Sequence, residues 1–318
     1  MTGEPLVSVA MPIYNAAASL PAALDLIRRQ TYANLEILLC DNASTDATPE
    51  ICAAAAKEDP RIRYFRHPQN LGPQANFNFG LAQKTGEFFM WAAHDDEKAP
   101  EFVSETLAAL RDDPSAAMAC TWTVIVTPEG ERVHVPYSPA IASPDLAERL
   151  RAFVADPQCV SFYGLYRSSV VDAIGPPDVW LDNDRRYLFL AAIRGPFVVV
   201  PKPLFRFRMN HTPEDYSGMG FRMRPGAADY DLDLYRHFPR LLAEAGVRGD
   251  DYTRAVAAMR GTLRQYFENR SAWLISRVLS DSRPRGVKVR ELSAFARQYP
   301  PMLRNRMFWG ALRRVVLP

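Results

Sequence analysis

The order of patterns in the first hundred residues most constrains the fold, because short apolar runs alternate there with stretches of helical periodicity. The apolar runs have the length of strands that are buried on both faces of a parallel sheet. They cover 6–11, closed by Pro12, then 35–40, 62–65 and 87–92. Helical patterns follow Ser19, begin at Thr48 and Pro49, and cover 73–84. This βαβαβαβ order predicts a parallel sheet with right-handed crossovers.

The rest of the chain departs from that alternation. Helices are predicted at 100–111 and 145–154, and strands at 117–126, near Val133, at 196–200 and at 204–209. The aromatic run 159–166 indicates either a buried strand or a contact to a ligand through Tyr163 or Arg167. From residue 227 onward the pattern is helical. The predicted fold is therefore α/β, a mostly parallel sheet flanked by helices with a C-terminal helical appendage, divided into 1–225 and 226–318.

Polar segments follow three of the predicted strands and should meet at one edge of the sheet. In open α/β sheets, ligands bind beyond the carboxyl ends of the strands. An aromatic ring suits stacking on a base, and a lone acid before a helix suits hydrogen bonds to a base or ribose. An acidic pair suits binding of a phosphate through a metal ion. The segments contain Pro12, Tyr14 and Asn15, then Asp41 and Ser44, then Asp95 and Asp96.

The adjacent acids Asp95 and Asp96 end the apolar run at 88–92. Two neighbouring carboxylates repel each other, so both ionise readily only beside a cation. A divalent metal that holds a phosphate would meet that need. The structural alternative is that one of these acids caps a helix that begins near Pro100.

Several classes of function are disfavoured by missing signals. No GxGxxG follows the first strand and no GxxxxGK[ST] occurs, which argues against a Rossmann dinucleotide site and a P-loop. The four cysteines have neither CxxC nor zinc spacing, so a reducing cytosol is expected. No apolar run is long enough to span a bilayer, and the N-terminus lacks signal-peptide features. No basic patch interleaved with aromatics indicates nucleic acid.

Four motifs occur in a fixed order and carry a resemblance. VSVAMPIYNAAASL, LEILLCDNASTDAT, NLGPQANFNFGLAQKTGEFFMWAAHDDEKAP and WLDNDRRYLFLAAIRGPFVVVPKPLFRFR together resemble the family-two inverting glycosyltransferases of the GT-A fold over about the first 210 residues. The resemblance implies transfer of a sugar from a nucleotide-diphospho-sugar, assisted by Mn²⁺ or Mg²⁺. It assigns nucleotide binding to Pro12, Tyr14 and Asp41, with Asn15 and Ser44 beside them, and to Asn70, Gly72 and Asn78.

The resemblance also assigns the metal and the catalytic base. The family motif Asp-x-Asp-Asp aligns with 93–96, where Ala93 replaces the first acid, so Asp95 and Asp96 are the expected metal-binding pair. His94 is either a contributor to this site or a solvated rim histidine. His211 resembles a later histidine that meets the metal or diphosphate.

The expected base is Asp184, which would take the proton of the acceptor hydroxyl, with Asp182 as the second candidate. An N-cap formed by Asp182 or Asn183 is the structural alternative. The alternative explains one residue of this acidic cluster without explaining Asp184.

The C-terminal region is strongly basic, since 14 of the 38 Lys and Arg residues but only 3 of the 36 acidic residues lie from Arg254 onward. The last segment sets Phe308 and Leu312 on one side of a predicted helix and Arg306 and Arg313 near the other. Such a helix can lie on an anionic membrane surface, or dock onto the catalytic domain or a second subunit. The predicted location is the cytoplasm, with peripheral contact at the inner face of the membrane as one alternative.

Three functions remain open from the sequence. The first is an inverting glycosyltransferase of surface glycan or polysaccharide biosynthesis, with a glycan or lipid-linked acceptor. The second is a nucleotidyltransferase, although PIYNAAAS after the first strand lacks the Gly-rich, basic loop expected of that class. The third is a scaffold that binds glycan or nucleotide through a degenerate site, an idea encouraged by Ala93.

Overall fold

The computed structural model describes residues 3–128, 130–155, 160–176, 183–208 and 238–262, and the single residues 286, 289 and 293. Its centre is one nine-stranded sheet in the order β3-β2-β1-β4-β8-β6-β9-β5, with β7 paired to β6. The strands are β1 Val7–Ile13, β2 Leu35–Asp41, β3 Ile62–Arg66, β4 Phe88–Trp91, β5 Glu97–Lys98, β6 Met118–Thr127, β7 Gly130–His134, β8 Leu165–Arg167 and β9 Phe197–Arg208.

The four strands predicted from the apolar runs form the parallel half of the sheet, in the order β3-β2-β1-β4. The helices between them are α1 Leu20–Arg28, α2 Thr48–Glu58 and α3 Pro73–Gln83, and each has proline in its first two positions. Proline suits these positions because the first N–H groups of a helix lack intrahelical acceptors. The predicted end of α3, at residue 84, is one residue beyond the observed end.

Pro12 does not end β1, contrary to the prediction, because the strand continues to Ile13 beside Asp41. In a parallel strand, alternate residues direct their backbone groups to opposite neighbours. The carbonyl of Ala10 accepts from the N–H of Ala92 on the β4 side, and that of Ile13 accepts from Asn42 on the β2 side. The nitrogen of Pro12 therefore faces the β4 side, beyond the last residue of β4, where the pairing of the two strands has already ended.

The second half of the sheet is antiparallel where β8 joins β4 to β6, and parallel where β6 meets β9. Two predicted strands form the single strand β9, whose register against β6 shifts twice between Val200 and Phe205. Such a bulge lets a strand pass its prolines without ending. The predicted strand at 159–166 is mostly a 3₁₀ turn, Val160–Tyr163, followed by β8.

Four further helices lie between β5 and β9 in the chain: α4 Phe102–Asp112, α5 Leu146–Ala155, α6 Ser168–Ile174 and α7 Asn183–Arg194. They cover the sheet with α1 to α3, and two clusters of buried apolar side chains form, one on each face. Helical residues at 238–262 add Phe238, Leu242 and Met259 to the cluster that also contains Phe153 and Tyr187. Within the part that the structure describes, no helix is long and apolar enough to cross a membrane.

Candidate active site

The loops after β1 and β2 are tied to each other by hydrogen bonds at the carboxyl edge of the sheet. The N–H of Asn15 donates to Ser44 Oγ over 2.9 Å, and Asn15 Oδ1 accepts from the N–H of Thr45 over 2.8 Å. The N–H of Ala16 donates to Thr48 Oγ1 over 2.8 Å. Asn15 has φ 49°, a left-handed conformation that Asn tolerates better than most residues. These contacts fix the position of Tyr14, whose ring is 43% exposed on the same edge.

Asp41 is the last residue of β2 and is completely buried. Its Oδ1 accepts from the N–H of Ser44 over 2.8 Å, and its Oδ2 accepts from the hydroxyl of Tyr64 over 2.9 Å. Burial raises the pKa of Tyr64 above its ordinary value, and the hydrogen bond to Asp41 adds to this rise. Asp41 therefore lies where the sequence places it, but both of its oxygens already bind groups of the protein.

The loop after β3 is held by Asn42, a residue that the sequence analysis did not single out. Asn42 Nδ2 donates to Asn70 Oδ1 over 2.8 Å, and Asn42 Oδ1 accepts from the N–H of Leu71 over 2.8 Å. Asn70 Oδ1 also accepts from the N–H of Gly72, whose φ of 84° favours glycine. The asparagine and glycine predicted to bind nucleotide thus shape a turn beside the ends of β1 and β2.

Within α3, it is Asn76 rather than Asn78 that faces the strand ends. The side chain of Asn76 is buried, and its Nδ2 donates to the carbonyl of Cys40 over 2.7 Å. Asn78 lies about 200° further around the helix, where its Oδ1 accepts from Gln74 Nε2. Asn76 shares a face with the tightly packed Gly80 four residues later, and that spacing is the signal that could have identified it.

The loop after β4 carries the acidic pair and is held to α1 and to β9. The ring of His94 contacts Ser19 Oγ through Nδ1 at 2.9 Å, so Ser19 does not cap α1 with its side chain. Asp96 is buried, and its Oδ1 accepts from the N–H of Arg208 over 2.9 Å. Burial raises the pKa of Asp96 to about 7, and the neighbouring charge of Asp95 adds to the rise. Asp95 is half-buried.

Lys98, two residues after Asp96, is a buried cation beneath this loop. Its Nζ lies 4.1 Å from the ring centre of Phe205 and 4.8 Å from that of Phe102. Burial lowers the pKa of Lys98 to about 8, and the charge of Asp96 opposes that change. Attraction to the aromatic faces offsets part of the cost of burying the ammonium group.

The acidic pair fits a divalent cation that arrives with a diphosphate, rather than a preformed metal cage. Among the residues that the structure describes, no group of three His, Cys, Asp or Glu side chains could hold a metal ion. Mg²⁺ is commonly held by one or two carboxylates together with substrate phosphates. Asp95 suits that arrangement better than Asp96, which is buried and already accepts a backbone hydrogen bond.

The N-terminal end of α7 lies at the same edge of the sheet. β6 runs parallel to β4, because each of them is antiparallel to β8. Ala117, the residue just before β6, donates its N–H to the carbonyl of Pro196, which lies two residues after α7. The C-terminal end of α7 is thus at the amino edge of the sheet. The ring of Tyr187, in the first half of α7, lies 5.2 Å from that of Trp91, the last residue of β4. Asp184 is about one turn nearer the helix start and is half-buried.

Two predicted site residues, Asp182 and His211, lie outside the described residues, as does the predicted C-terminal helix with Arg306 and Arg313. Tyr163 and Arg167, the alternative ligand contacts, are both half-buried and contact other groups of the protein. The ring centre of Tyr163 lies 5.5 Å from Lys98 Nζ, and Arg167 Nε donates to the carbonyl of Ala116 over 2.9 Å. Arg167 therefore joins β8 to the start of β6.

Known proteins resemble this chain in sequence and in fold. The family model described as "Glycosyl transferase family 2" matches residues 8–175. An uncharacterized glycosyltransferase of Rickettsia bellii is 36% identical over 109 residues, which are 34% of this chain and 16% of the relative. The GalNAc(5)-diNAcBac-PP-undecaprenol beta-1,3-glucosyltransferase of Campylobacter jejuni is 39% identical over 95 residues, 29% of this chain and 30% of that protein.

Among solved structures, S. aureus TarS 1-349 in complex with UDP-GlcNAc matches with a TM-score of 0.67 and 16% identity, over 97% of this chain and 90% of that one. At this identity the likeness shows the fold. The chain spans less than two-fifths of the length of the first three curated relatives that it matches.

Proposed function

Because the chain belongs to glycosyl transferase family 2 and has the GT-A fold, we propose that it transfers a sugar, with inversion, from a nucleotide-diphospho-sugar to an acceptor hydroxyl. The observation that carries the proposal is the convergence of β1, β2, β4 and the start of α7 at one edge of the sheet. That edge offers an exposed ring at Tyr14, a reachable carboxylate at Asp95 and a second carboxylate at Asp184.

The donor would lie along this edge, with its nucleoside beside Tyr14, Asn15 and Ser44 and its diphosphate beside Asp95. The hydrogen bonds that join the loops after β1, β2 and β3 support this arrangement because they hold these loops in place before a ligand binds. Preformed contacts reduce the ordering cost of binding. A Mg²⁺ or Mn²⁺ ion at Asp95, when bound, would neutralise charge on the leaving diphosphate.

Inversion requires a base on the side of the sugar opposite the leaving group. We assign that role to Asp184, which would accept the proton of the acceptor hydroxyl as the new bond to the sugar forms. Asp184 Oδ1 accepts from the N–H of Arg185, and such a contact holds a carboxylate at a helix start in a defined orientation. Asp182 is the second candidate.

The acceptor that we propose is a glycan or a lipid-linked glycan of surface polysaccharide biosynthesis. The support is the name of the Campylobacter relative, which describes transfer to an undecaprenol-linked glycan. The basic C-terminal segment would bring the chain to an anionic membrane surface where such acceptors are carried.

A screen of nucleotide sugars tests the proposal. The full chain is incubated with UDP-, GDP- and dTDP-linked sugars and Mn²⁺, and the release of free nucleoside diphosphate is measured. We expect hydrolysis of one donor class above the background without enzyme, because water can attack the sugar in place of the acceptor when the leaving diphosphate is stabilised. Release from none of these donors, together with no binding of their diphosphates, would contradict the proposal.

A second candidate function is a nucleotide-binding scaffold, favoured by Ala93 in place of the first acid of the metal motif. It predicts that UDP or GDP binds while no sugar donor turns over, even with acceptor glycans present. Calorimetry with and without Mn²⁺ beside the turnover assay separates the two functions.

A further inference from the structure

β6 extends beyond the end of β4, past the edge of the sheet where the donor would lie. Phe89 of β4 and Met118 of β6 pair with the same residue of β8. β4 ends two residues later, which is the level of Cys120. Residues 121–127 of β6 therefore project past that edge, between β7 on one side and the end of β9 on the other. These three strands form a ribbon next to the candidate active site.

One face of this ribbon combines an indole ring with aliphatic side chains. Cys120 lies in the buried cluster that also contains residues of α7, and alternate residues of a strand share a face. Trp122, Val124 and Val126 therefore lie on the α7 side of the sheet. They are half-buried and belong to neither buried cluster of the described residues. Val133 of β7, the partner of Val124, is 56% exposed. We call this surface the ribbon face.

Charged side chains line the ribbon face where β9 and β5 join it. Arg206 is the partner of Val124 in the register, and its Nε is 3.3 Å from Glu97 Oε2. Its Nη1 donates to Glu131 Oε2 over 3.1 Å. Arg208 also forms an ion pair with Glu97, and all four charged side chains are partly exposed. A guanidinium group has five N–H donors and a carboxylate about four acceptor sites, so these ion pairs retain capacity to bond hydroxyl groups.

Asp184 lies on the same side of the sheet as the ribbon face. The ring of Tyr187 in α7 is 6.0 Å from that of Tyr166 in β8, the strand next to β6. Asp184 precedes Tyr187 by three residues, which places it about 4.5 Å nearer the carboxyl edge of the sheet. Trp122 lies about 7 Å beyond the end of β4 along β6. An acceptor whose hydroxyl reaches Asp184 would therefore extend over the ribbon face.

The chemistry of the ribbon face fits a pyranose ring. Such a ring has an apolar face of C–H groups, which can stack on an indole, and a rim of hydroxyl groups, which can bond to Arg206 and Glu131. A lipid chain would leave these charged groups against hydrocarbon, which is costly. A chain of phosphates would face the carboxylates of Glu97 and Glu131, which repel it.

We propose that the ribbon face binds a pyranose ring of the acceptor, stacked on Trp122, and so brings an acceptor hydroxyl to Asp184. The inference rests on the proposed function and deepens it, because it assigns the acceptor subsite and its sugar class. Trp122 is then a specificity-determining residue, one that the sequence patterns did not single out.

Acceptor kinetics of Trp122→Leu test the inference. The donor is the nucleotide sugar that the full chain hydrolyses with Mn²⁺. The acceptor probes are methyl glycosides of hexoses and N-acetylhexosamines, which carry no aromatic group of their own. We expect wild type to glycosylate at least one of them. The KM for that glycoside should rise about tenfold in Trp122→Leu, which stays apolar but loses the ring, while the KM for the donor stays the same. Trp122→Phe, which retains a ring, should recover most of the loss.

Arg132→Ala is the matched control. Arg132 is an exposed residue of β7, and its partner in the register is Ile125, which lies on the opposite face of the ribbon from Val124. The KM for the glycoside and that for the donor should both equal those of wild type.

Arg206→Ala is a second test that leaves the indole in place. It removes a group expected to bond the sugar hydroxyls, so it should raise the KM for the same glycoside several-fold. It decides the outcome if Trp122→Leu does not fold.

An unchanged glycoside KM in Trp122→Leu and Arg206→Ala overturns the inference, as does an equal loss of donor affinity in both. A wild type that hydrolyses the donor but glycosylates none of the glycosides also overturns it, and glycerol 3-phosphate then tests an acyclic acceptor. Absence of donor hydrolysis by wild type would instead contradict the proposed function.

Discussion

At the scale of single residues, we assign the chemical step of the proposed reaction to Asp184. Asp184→Asn keeps the shape of the side chain but removes its ability to accept a proton. We expect kcat to fall by about 10²- to 10⁴-fold, the usual contribution of a general base. Binding of the nucleoside diphosphate, measured by calorimetry, should stay within about twofold of wild type. Turnover at the wild-type rate would remove Asp184 from this role and direct attention to Asp182.

Asp96 gives the free protein a predicted dependence of stability on pH. Burial, with the charge of Asp95, raises the pKa of Asp96 to about 7, above the value near 4 of an unfolded chain. The folded state therefore binds more protons between these values, and the free energy of unfolding falls as pH rises from about 4 to 7. We expect a decrease on the order of a few kcal/mol in urea unfolding without metal or nucleotide.

Asp96→Asn should remove that decrease, because its carboxamide oxygen can still accept from the N–H of Arg208 but does not ionise. The same pH dependence in wild type and Asp96→Asn would show that another group is responsible.

At the scale of elements, the sequence predicted the parallel half of the sheet and its helices because every signal there is local. Apolar runs, prolines in first turns and the spacing of Leu20, Leu24 and Ile27 determine where each element begins and which face is buried. The strand ends at Pro12 and within β9 were predicted wrongly. A proline ends a strand only if its nitrogen faces a paired neighbour, and pairing depends on where other strands stop.

The orientation of α3 leads to a prediction about stability. Asn76→Ala leaves the carbonyl of Cys40, at the buried end of β2, without its side-chain donor. We expect a loss of about 1–3 kcal/mol in the free energy of unfolding, measured with urea. The matched control is Asn78→Ala, whose side chain is bonded to Gln74 and should cost under about 0.5 kcal/mol. Equal losses in the two variants would contradict the assigned orientation of the helix.

At the scale of the whole molecule, the site is assembled by topology that local patterns do not contain. The sequence predicted that Tyr14, Asp41 and Asp95 share an edge because parallel strands require it. The burial of Asp41 under Arg66 could not be predicted, since it depends on the register between β2 and β3. Likewise, the position of α7 beside Trp91 follows from β8, which inserts between β4 and β6. The sequence analysis did not distinguish β8 from the turn before it.

The charge distribution leads to a prediction for the full chain at a membrane. The region from Arg254 onward holds 14 basic and 3 acidic residues, whereas the rest of the chain carries an excess of acid. Attraction to anionic lipid is worth about 1 kcal/mol per basic residue near the surface and weakens with salt. We expect the chain to sediment with vesicles that contain phosphatidylglycerol at low salt, and to be released as salt is raised.

Arg306→Glu with Arg313→Glu should weaken this binding, and vesicles of phosphatidylcholine alone should bind little, because the attraction depends on opposite charges. Equal binding to both vesicle types would mean that apolar contact dominates, and absence of binding to either would favour docking of the tail onto protein.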